Sequence, residues 1–453
     1  MKRAKLFTSA KGVEKMMRQQ DGLLFDQTEG RGDRQLNIYP ERCYQEILGF
    51  GAAFTETSAY NYAKMSSKGK EKVIEALFDK EKGLGLNYCR THIHSCDFAL
   101  NRYTYVREQD EKLESFSISR DQKYIIPFIK AAQNTAEGLE LFASPWTPPS
   151  WMKDNNEMIH GGRLLEAYYQ SWADYMVRYV TEYAKEGIRF SGISVQNEAM
   201  AFQTWESCQY TAEEEAVFVH KYLWPALRKA GFDDIGIMVW DHNRERVYDR
   251  ARDSFAVPGA REDIWGVAYH WYSGDHYAAL DMVHEAFPEK ALILSEISLG
   301  GQRGETAQGA HSSFIGLEIW VNELIENFNH HMNAFVAWNM IVDENGGPYH
   351  DRPGGCKAPI VADDQTDTFI LEPIYYAIAH FSRFIKRGAV RLGTSVFKEE
   401  VKMAAFQNPD GEIVSVILNR TDRVQEVWVR LEGRYMKLML PADSVTTCVI
   451  TEE

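Results

Sequence analysis

The sequence predicts an α/β protein: a parallel (β/α)8 barrel over residues 46–385 and a smaller β-sandwich over residues 386–453, joined by N-terminal strands from residues 1–45. Three observations lead there. From Ile47 to about Phe384, short apolar runs alternate with amphipathic stretches, the texture of βα units around a parallel sheet. Eight such runs can be read, the number that closes a barrel. Beyond Arg387 the helical period gives way to short alternating strands.

The eight strand candidates are Ile47 to Phe54, Leu86 to His94, Leu139 to Trp146, Gly192 to Glu198, Ile235 to Asp241, Trp265 to Tyr272, Ala291 to Glu296 and Ala334 to Ile341. Each is too apolar for a one-sided surface strand, so both faces are expected to be covered. Between them, Ser119 with Gln122 reads as a helix start. Leu164 to Ala184 spaces Leu165, Tyr168, Trp172, Tyr175, Met176 and Tyr179 along one helical face. Thr211 with Glu214 reads as a capping box for a helix from Ala212 to Lys229, ended at Gly231. The acidic run Glu213-Glu214-Glu215 is read as first-turn charge, and the pair Gly300-Gly301 as a turn after the seventh strand. In the last segment, Val401 to Phe406 and Ile413 to Asn419 flank the turn signal Asn408-Pro409-Asp410-Gly411, with Val424 to Leu431 and Lys437 to Leu440 beyond them. Leu36-Asn37-Ile38-Tyr39 alternates without a helical partner and is expected to join the sandwich.

With 453 residues, 45% of them hydrophobic, the chain can bury a large core, and 13% aromatic content is enough to line a cleft. The net charge of −15 opposes nucleic-acid or anionic-membrane partners, because phosphate binding needs a basic surface. No apolar run approaches the ~18 residues of a membrane span, and none lies behind the basic start Met1-Lys2-Arg3, so the protein is expected to be cytoplasmic. The six cysteines are scattered without a Cys-x-x-Cys pair, which argues for reduced thiols over a disulfide framework or a zinc knuckle. Nothing in the sequence speaks to oligomeric state.

The chemistry is concentrated at strand ends. Glu198 closes the fourth strand and Glu296 the seventh; on one parallel barrel both would open on the catalytic face. Polar or aromatic residues end the others: Thr55 and Glu56; Arg90, His92, His94 and Asp97; Trp146; Asp241 and His242; His270, Trp271 and Tyr272; Trp338 and Asn339. Aromatic faces suit sugar rings, while Asp, Asn, His and Arg fix hydroxyls directionally, so a carbohydrate pocket is expected. Glycosidic cleavage needs one carboxylic acid to protonate the leaving oxygen and one carboxylate to attack or to activate water. Asn197 is placed to bond the sugar 2-hydroxyl, and His270 or Tyr272 to donate to Glu296. Glu198 is expected to keep its proton beside a second carboxylate.

The segments Gly49-Phe50-Gly51-Ala52-Ala53-Phe54-Thr55, Ser95-Cys96-Asp97-Phe98, Ala143-Ser144-Pro145-Trp146-Thr147-Pro148-Pro149, Gln196-Asn197-Glu198, His270-Trp271-Tyr272, Ser295-Glu296 and Trp338-Asn339 to Gly346-Gly347-Pro348 resemble glycoside hydrolase family 30. They look most like its glucosylceramidase and β-glucosidase branch. The resemblance implies a barrel with a sandwich made from both chain ends, retaining hydrolysis of terminal β-glucosides, and no metal or other cofactor. It implies Glu198 as acid/base and Glu296 as nucleophile. Asp97, Trp146, Asn197 and Trp338 then hold the terminal glucose and Tyr272 adjoins the nucleophile, with Arg90 and His270 as further substrate-binding candidates. Ala199 stands where the family usually has proline, and Arg90-Thr91-His92 where it often has Arg-x-Pro. Trp205-Glu206-Ser207-Cys208 differs from the lysosomal type and is expected to bear on which aglycone is accepted.

Within this reading the substrate is a carbohydrate or glycoconjugate attacked from the non-reducing end, with an endo-β-1,6-glucanase or a β-xylosidase as alternatives. A metal-dependent barrel hydrolase using His92 and His94 is the rival chemistry, since His-x-His on a strand points both rings one way. A non-catalytic sugar-binding barrel is the rival class, and it would need one glutamate lost or misplaced.

Overall fold

In the computed structural model, which describes residues 2–26, 33–300, 314–363 and 366–452, eight parallel strands close into a barrel. They are Gly49–Phe54, Tyr88–Ile93, Glu140–Pro145, Gly192–Ser194, Gly236–Asn243, Gly266–His270, Ala291–Glu296 and Ala334–Asn339, paired in chain order, with the eighth returning to the first. Seven lie within the stretches expected for them. The fifth runs past Asp241 because the ladder bulges between Trp240 and His242, where Trp240 and Asp241 adopt left-handed backbone at φ 76° and 46°. At Gly51 the strands approach so closely that an added Cβ would lie 1.7 Å from the Tyr88 carbonyl oxygen.

The inward side chains form two layers. The lower is apolar, from Tyr88, Phe142, Met238, Ala268, Ile293 and Val336. Two residues further along several of these strands, the next inward positions are Arg90, Ser144, His270 and Ser295, all 0% exposed. A two-residue period thus converts a hydrophobic floor into a polar layer at the catalytic end. Below the floor, Arg387 closes the barrel by donating to the carbonyls of Leu48, Asn87 and Gly138.

The outer helices need two corrections. Ser119 caps nothing: Arg120 is drawn to Glu56 and Asp121 to the hydroxyls of Tyr103, Tyr105 and Tyr183, so the helix begins only at Ile125 after a 3-10 turn. The Thr211–Glu214 capping box is present, but the helix is α only to Phe218. It passes through a π stretch, Val219–Leu223, before Trp224–Lys229, because Pro225 has no N–H to give to the ladder. Glu215 stands in the first turn as expected and points inward. It is fully buried, paired with Arg250 and accepting the Trp240 amide at 3.0 Å, which braces the bulge that turns Asp241. The Tyr169–Lys185 helix buries Trp172, Tyr175, Met176 and Tyr179 as expected, while Leu165 before it is exposed.

The second body is a nine-stranded sheet that folds over its own core, in which Leu6, Ile38, Met403, Val427, Leu438 and Ile450 meet. Lys2–Ala10 pairs with Ser444–Glu452, and Gln35–Glu46 lies between Val390–Ser395 and Gln425–Leu431, so both chain ends build this β-sandwich. The expected hairpin joins Val401–Gln407 to Ile413–Asn419 through Gly411 at φ 88°. His380 of the last barrel helix bonds Thr447 at 2.8 Å and Ser9 at 2.9 Å, locking barrel to sandwich. Among the described residues no helix is long and apolar enough to cross a membrane.

Candidate active site

Arg90 organises the polar layer. Its guanidinium donates to Glu296 at 2.7 Å, Asn197 at 2.7 Å, Asp241 at 2.9 Å and Ser144 at 3.0 Å. Burial opposes the Arg90 charge, and the facing Asp241 and Glu296 carboxylates outweigh it. Asp241, fully buried, also accepts from Ser194 at 2.5 Å and Ser295 at 2.6 Å. Burial raises its pKa, but Arg90, His270 and Ser194 carry it far below the usual carboxylate range. Small serines on strands three, four and seven make room for the arginine. Because Arg90 takes the Asn197 carbonyl oxygen, the Asn197 amide N–H groups are the donors left for a sugar hydroxyl.

The two candidate catalytic carboxyls share one cavity of about 250 Å³ but have different partners. Glu296 receives Arg90 on one oxygen and the Tyr272 hydroxyl on the other, at 2.9 Å. Glu198 sits in left-handed backbone at φ 52°, a strained conformation for a residue other than glycine. Its Oε1 lies 3.5 Å from His270 Nδ1 and 3.9 Å from His242 Nε2. Of the two donors expected for Glu296, Tyr272 takes that place and His270 does not. It is found instead between Glu198 and Asp241, its Nε2 3.1 Å from Asp241, because the bulge on strand five turns Asp241 beneath it.

The electrostatics reflect that placement. Burial raises the Glu198 pKa, but the facing His270 and His242 rings outweigh it and hold Glu198 below the usual carboxylate range. Conversely, His270 is lowered by burial but raised further by Glu296, Asp241 and Glu198, to about 9. The expectation that Glu198 retains its proton through carboxylate repulsion is therefore corrected. The His270 imidazole, one of the two donors the sequence offers to Glu296, dominates the surroundings of Glu198 instead.

Trp146 and Trp338 stack with ring centroids 5.2 Å apart, and with Asp97, Asn197 and Tyr272 they line the same cavity. Asp97 is raised by burial to about 6, although Arg352 donates to its Oδ2 at 2.7 Å. Arg90 and His270, expected to touch substrate, lie under the pocket as supports of Glu296, Asn197 and Glu198. Sequence reasoning missed Asn243, beyond the bulge of strand five, and three further residues of the pocket wall, Gln203, Ser298 and Arg352. These three come from loops without strand periodicity, so no pattern marked them. Gly300 lies on the rim, and Gly301 falls outside the described residues.

His92 and His94 do not face the pocket together. The strand ends at Ile93, and His94 adopts left-handed backbone at φ 49°, which breaks the alternation. His92 bonds the Glu56 amide at 3.0 Å and the His94 carbonyl, while His94 bonds Tyr175 at 2.9 Å and the Thr147 carbonyl at 2.7 Å. All four ring nitrogens serve the fold. Among the described residues there is no group of three or more His, Cys, Asp or Glu that could hold a metal ion.

This arrangement has close relatives. The chain is 30% identical to lysosomal acid glucosylceramidase of Mus musculus over 401 residues, covering 85% of this chain and 77% of that protein. It superposes on the crystal structure of SrfJ from Salmonella typhimurium with a TM-score of 0.93 at 32% identity, covering 100% of both chains. It superposes on the endo-β1,6-glucanase BT3312 with a TM-score of 0.89 at 26% identity, covering 99% of each. Residues 47–385 match the glycosyl hydrolase family 30 TIM-barrel domain and residues 388–448 the family's β-sandwich domain. The chain therefore belongs to glycosyl hydrolase family 30 and is a glycoside hydrolase.

Proposed function

We propose that this enzyme is a retaining β-glucosidase of the glucosylceramidase type, which removes one glucose from the non-reducing end by double displacement. The observation that carries the reading is the shared cavity of Glu198 and Glu296, each with its own set of partners. In the first step a Glu296 oxygen bonds to the anomeric carbon as the bond to the aglycone oxygen breaks, and Glu198 delivers its proton to that oxygen. In the second, Glu198 takes a proton from water, the water oxygen bonds to the anomeric carbon, and the ester to Glu296 breaks. Arg90 and Tyr272 orient Glu296 throughout. Asn197 is positioned to donate to the 2-hydroxyl, a contact that strengthens as oxocarbenium character develops.

The leaving-group proton is available within the site. A protonated His270 beside ionised Glu198 and a neutral His270 beside protonated Glu198 carry the same total charge. Transfer from Nδ1 across the 3.5 Å gap needs no uptake from solvent; it runs against the resting preference of the pair, so it accompanies departure of the aglycone. Exo action is supported by the small cavity, below the roughly 300–1,000 Å³ of clefts that take drug-sized ligands, and by Asp97 and the two tryptophans on its wall. The likeness to BT3312 supports a second reading, an endo-β-1,6-glucanase. Aryl β-glucoside and β-1,6-gluco-oligosaccharides, assayed side by side, separate the two: free glucose as sole early product supports the first, and internal fragments overturn it. Faster turnover of the aryl β-xyloside would favour the β-xylosidase alternative.

A further inference from the structure

We propose that Arg352 is a specificity-determining residue, the donor half of a donor–acceptor pair with Asp97 that reads the sugar hydroxyls farthest from the anomeric carbon. The inference rests on the exo-glucosidase reading and deepens it. Arg352 comes from the loop after strand eight and Asp97 from the loop after strand two; both line the cavity. The guanidinium lies 4.7 Å from the Phe98 ring centroid and 5.6 Å from that of Trp205, which fixes its plane. One amine donates to Asp97 Oδ2 at 2.7 Å. Among the described residues, the buried Arg352 Nε–H has no partner, and Asp97 receives no other side-chain donor.

A buried donor without a partner is unfavourable, and a hydroxyl removes the deficit because it accepts and donates at once. A sugar hydroxyl accepting from Nε–H while donating to Asp97 would complete both groups, and a neighbouring hydroxyl could share them. Glu198 and Glu296 must flank the anomeric carbon, with Asn197 beside them at the 2-hydroxyl. The Asp97–Arg352 pair lines the same cavity against Phe98, whose ring is 5.9 Å from that of Trp338. With its anomeric carbon between the two glutamates, a glucose would turn its 4-hydroxyl and 6-hydroxymethyl group toward this pair. The loop is held in place beforehand: His350 reaches Glu206 at 3.1 Å, and Arg102 donates to Asp351 at 2.6 Å.

The test compares Arg352→Gln and Arg352→Lys on 4-nitrophenyl β-glucoside and its 4-deoxy and 6-deoxy analogues. With Arg352→Gln, kcat/KM on the parent falls roughly 10- to 100-fold, the range for a hydrogen bond to a charged group. The rate on the analogue lacking the hydroxyl that Arg352 reads changes little. Lysine, which keeps a charge beside Asp97 but lacks the planar fork, stays impaired on the parent. Equal losses on parent and both analogues, no loss with glutamine, or full rescue by lysine would overturn the proposal. Thermal melting checks the fold of both variants, and if glutamine unfolds the protein the lysine comparison decides alone. Wild-type turnover of the parent is read separately: its absence removes the β-glucosidase reading itself, a different outcome from normal turnover with no selective effect at Arg352.

Discussion

His270 Nδ1 stands 3.5 Å from Glu198 Oε1 while its Nε2 is held 3.1 Å from Asp241, so one imidazole joins the acid/base candidate to the buried anion beneath it. With His270 raised to about 9, the pair holds its shared proton at neutral pH and loses it as pH rises through about 9. Activity is therefore expected to fall above about pH 9. The sign for stability is the same: the folded value lies above the unfolded ~6.5, so the contribution is complete below about 6.5 and lost through about 9. His270→Asn should lower kcat/KM and move the alkaline limb. A pH–rate profile for 4-nitrophenyl β-glucoside that keeps its alkaline limb in the variant would refute the shared-proton role.

Removal of each carboxyl should have a distinct signature. Glu296→Gln loses the attacking atom and should retain less than about a thousandth of kcat, comparable to removing a nucleophile in other covalent enzymes. Glu198→Ala should lose roughly 10²–10⁴-fold, less for aryl leaving groups that depart without a proton, and added azide should restore turnover as a β-glycosyl azide. A 2-deoxy-2-fluoro-glucoside with a good leaving group should trap a covalent adduct. Peptide mapping that places the adduct anywhere but Glu296 would reassign the nucleophile, and an α-azide product would contradict retention.

The strand ends were readable because the barrel imposes a two-residue period on one catalytic face. Glu198, Glu296, Asn197, Asp97, Trp146, Tyr272 and Trp338 all lie on the one cavity. The same logic misjudged His270, because its role depends on a bulge between Trp240 and His242 that no local pattern announces. At His94, left-handed backbone ends the alternation that the rival His-x-His reading required. Arg352 left no trace in the sequence because a loop residue is placed by its tertiary partners, here Asp97, Phe98 and Trp205. Pro225 marks an interruption of the helix in the sequence, while the capping box and terminal glycine frame one continuous helix; the π form of Val219–Leu223 has no local signal.

Arg90 should prove structural as well as functional. Arg90→Met leaves Asp241, 0% exposed, without its guanidinium partner, and breaking a buried pair in this way costs about 3–5 kcal/mol. Because His270 and three serines still face Asp241, the lower end is expected. Urea denaturation measures the loss, and Arg90→Met combined with Asp241→Asn should recover part of it, since the buried charge is then gone. Strict additivity of the two changes would show that the pair is not coupled. Neither variant should recover activity, because Glu296 and Asn197 remain without their donor.

Glu206 ties three loops of the pocket together. It is 1% exposed, accepts from Ser95 at 2.5 Å on the loop after strand two, and meets His350 at 3.1 Å on the loop after strand eight. Burial lowers the His350 pKa, but the Glu206 contact and charge raise it further, so the net shift is upward. With Glu206 held below the usual carboxylate range and so ionised, the contribution of His350 protonation is complete below the unfolded ~6.5 and lost as pH rises through the higher folded value. Glu206→Gln should destabilise the protein by about 1.5–3 kcal/mol at pH 5.5, the range for hydrogen bonds to charged groups, and by less at pH 8.5. Since the same loop carries Arg352, KM for the aryl glucoside should rise several-fold with kcat nearly unchanged. A stability deficit identical at both pH values would eliminate His350 as the partner that matters, and a fall in kcat without a change in KM would place the effect at the reacting carboxyls instead of the pocket wall.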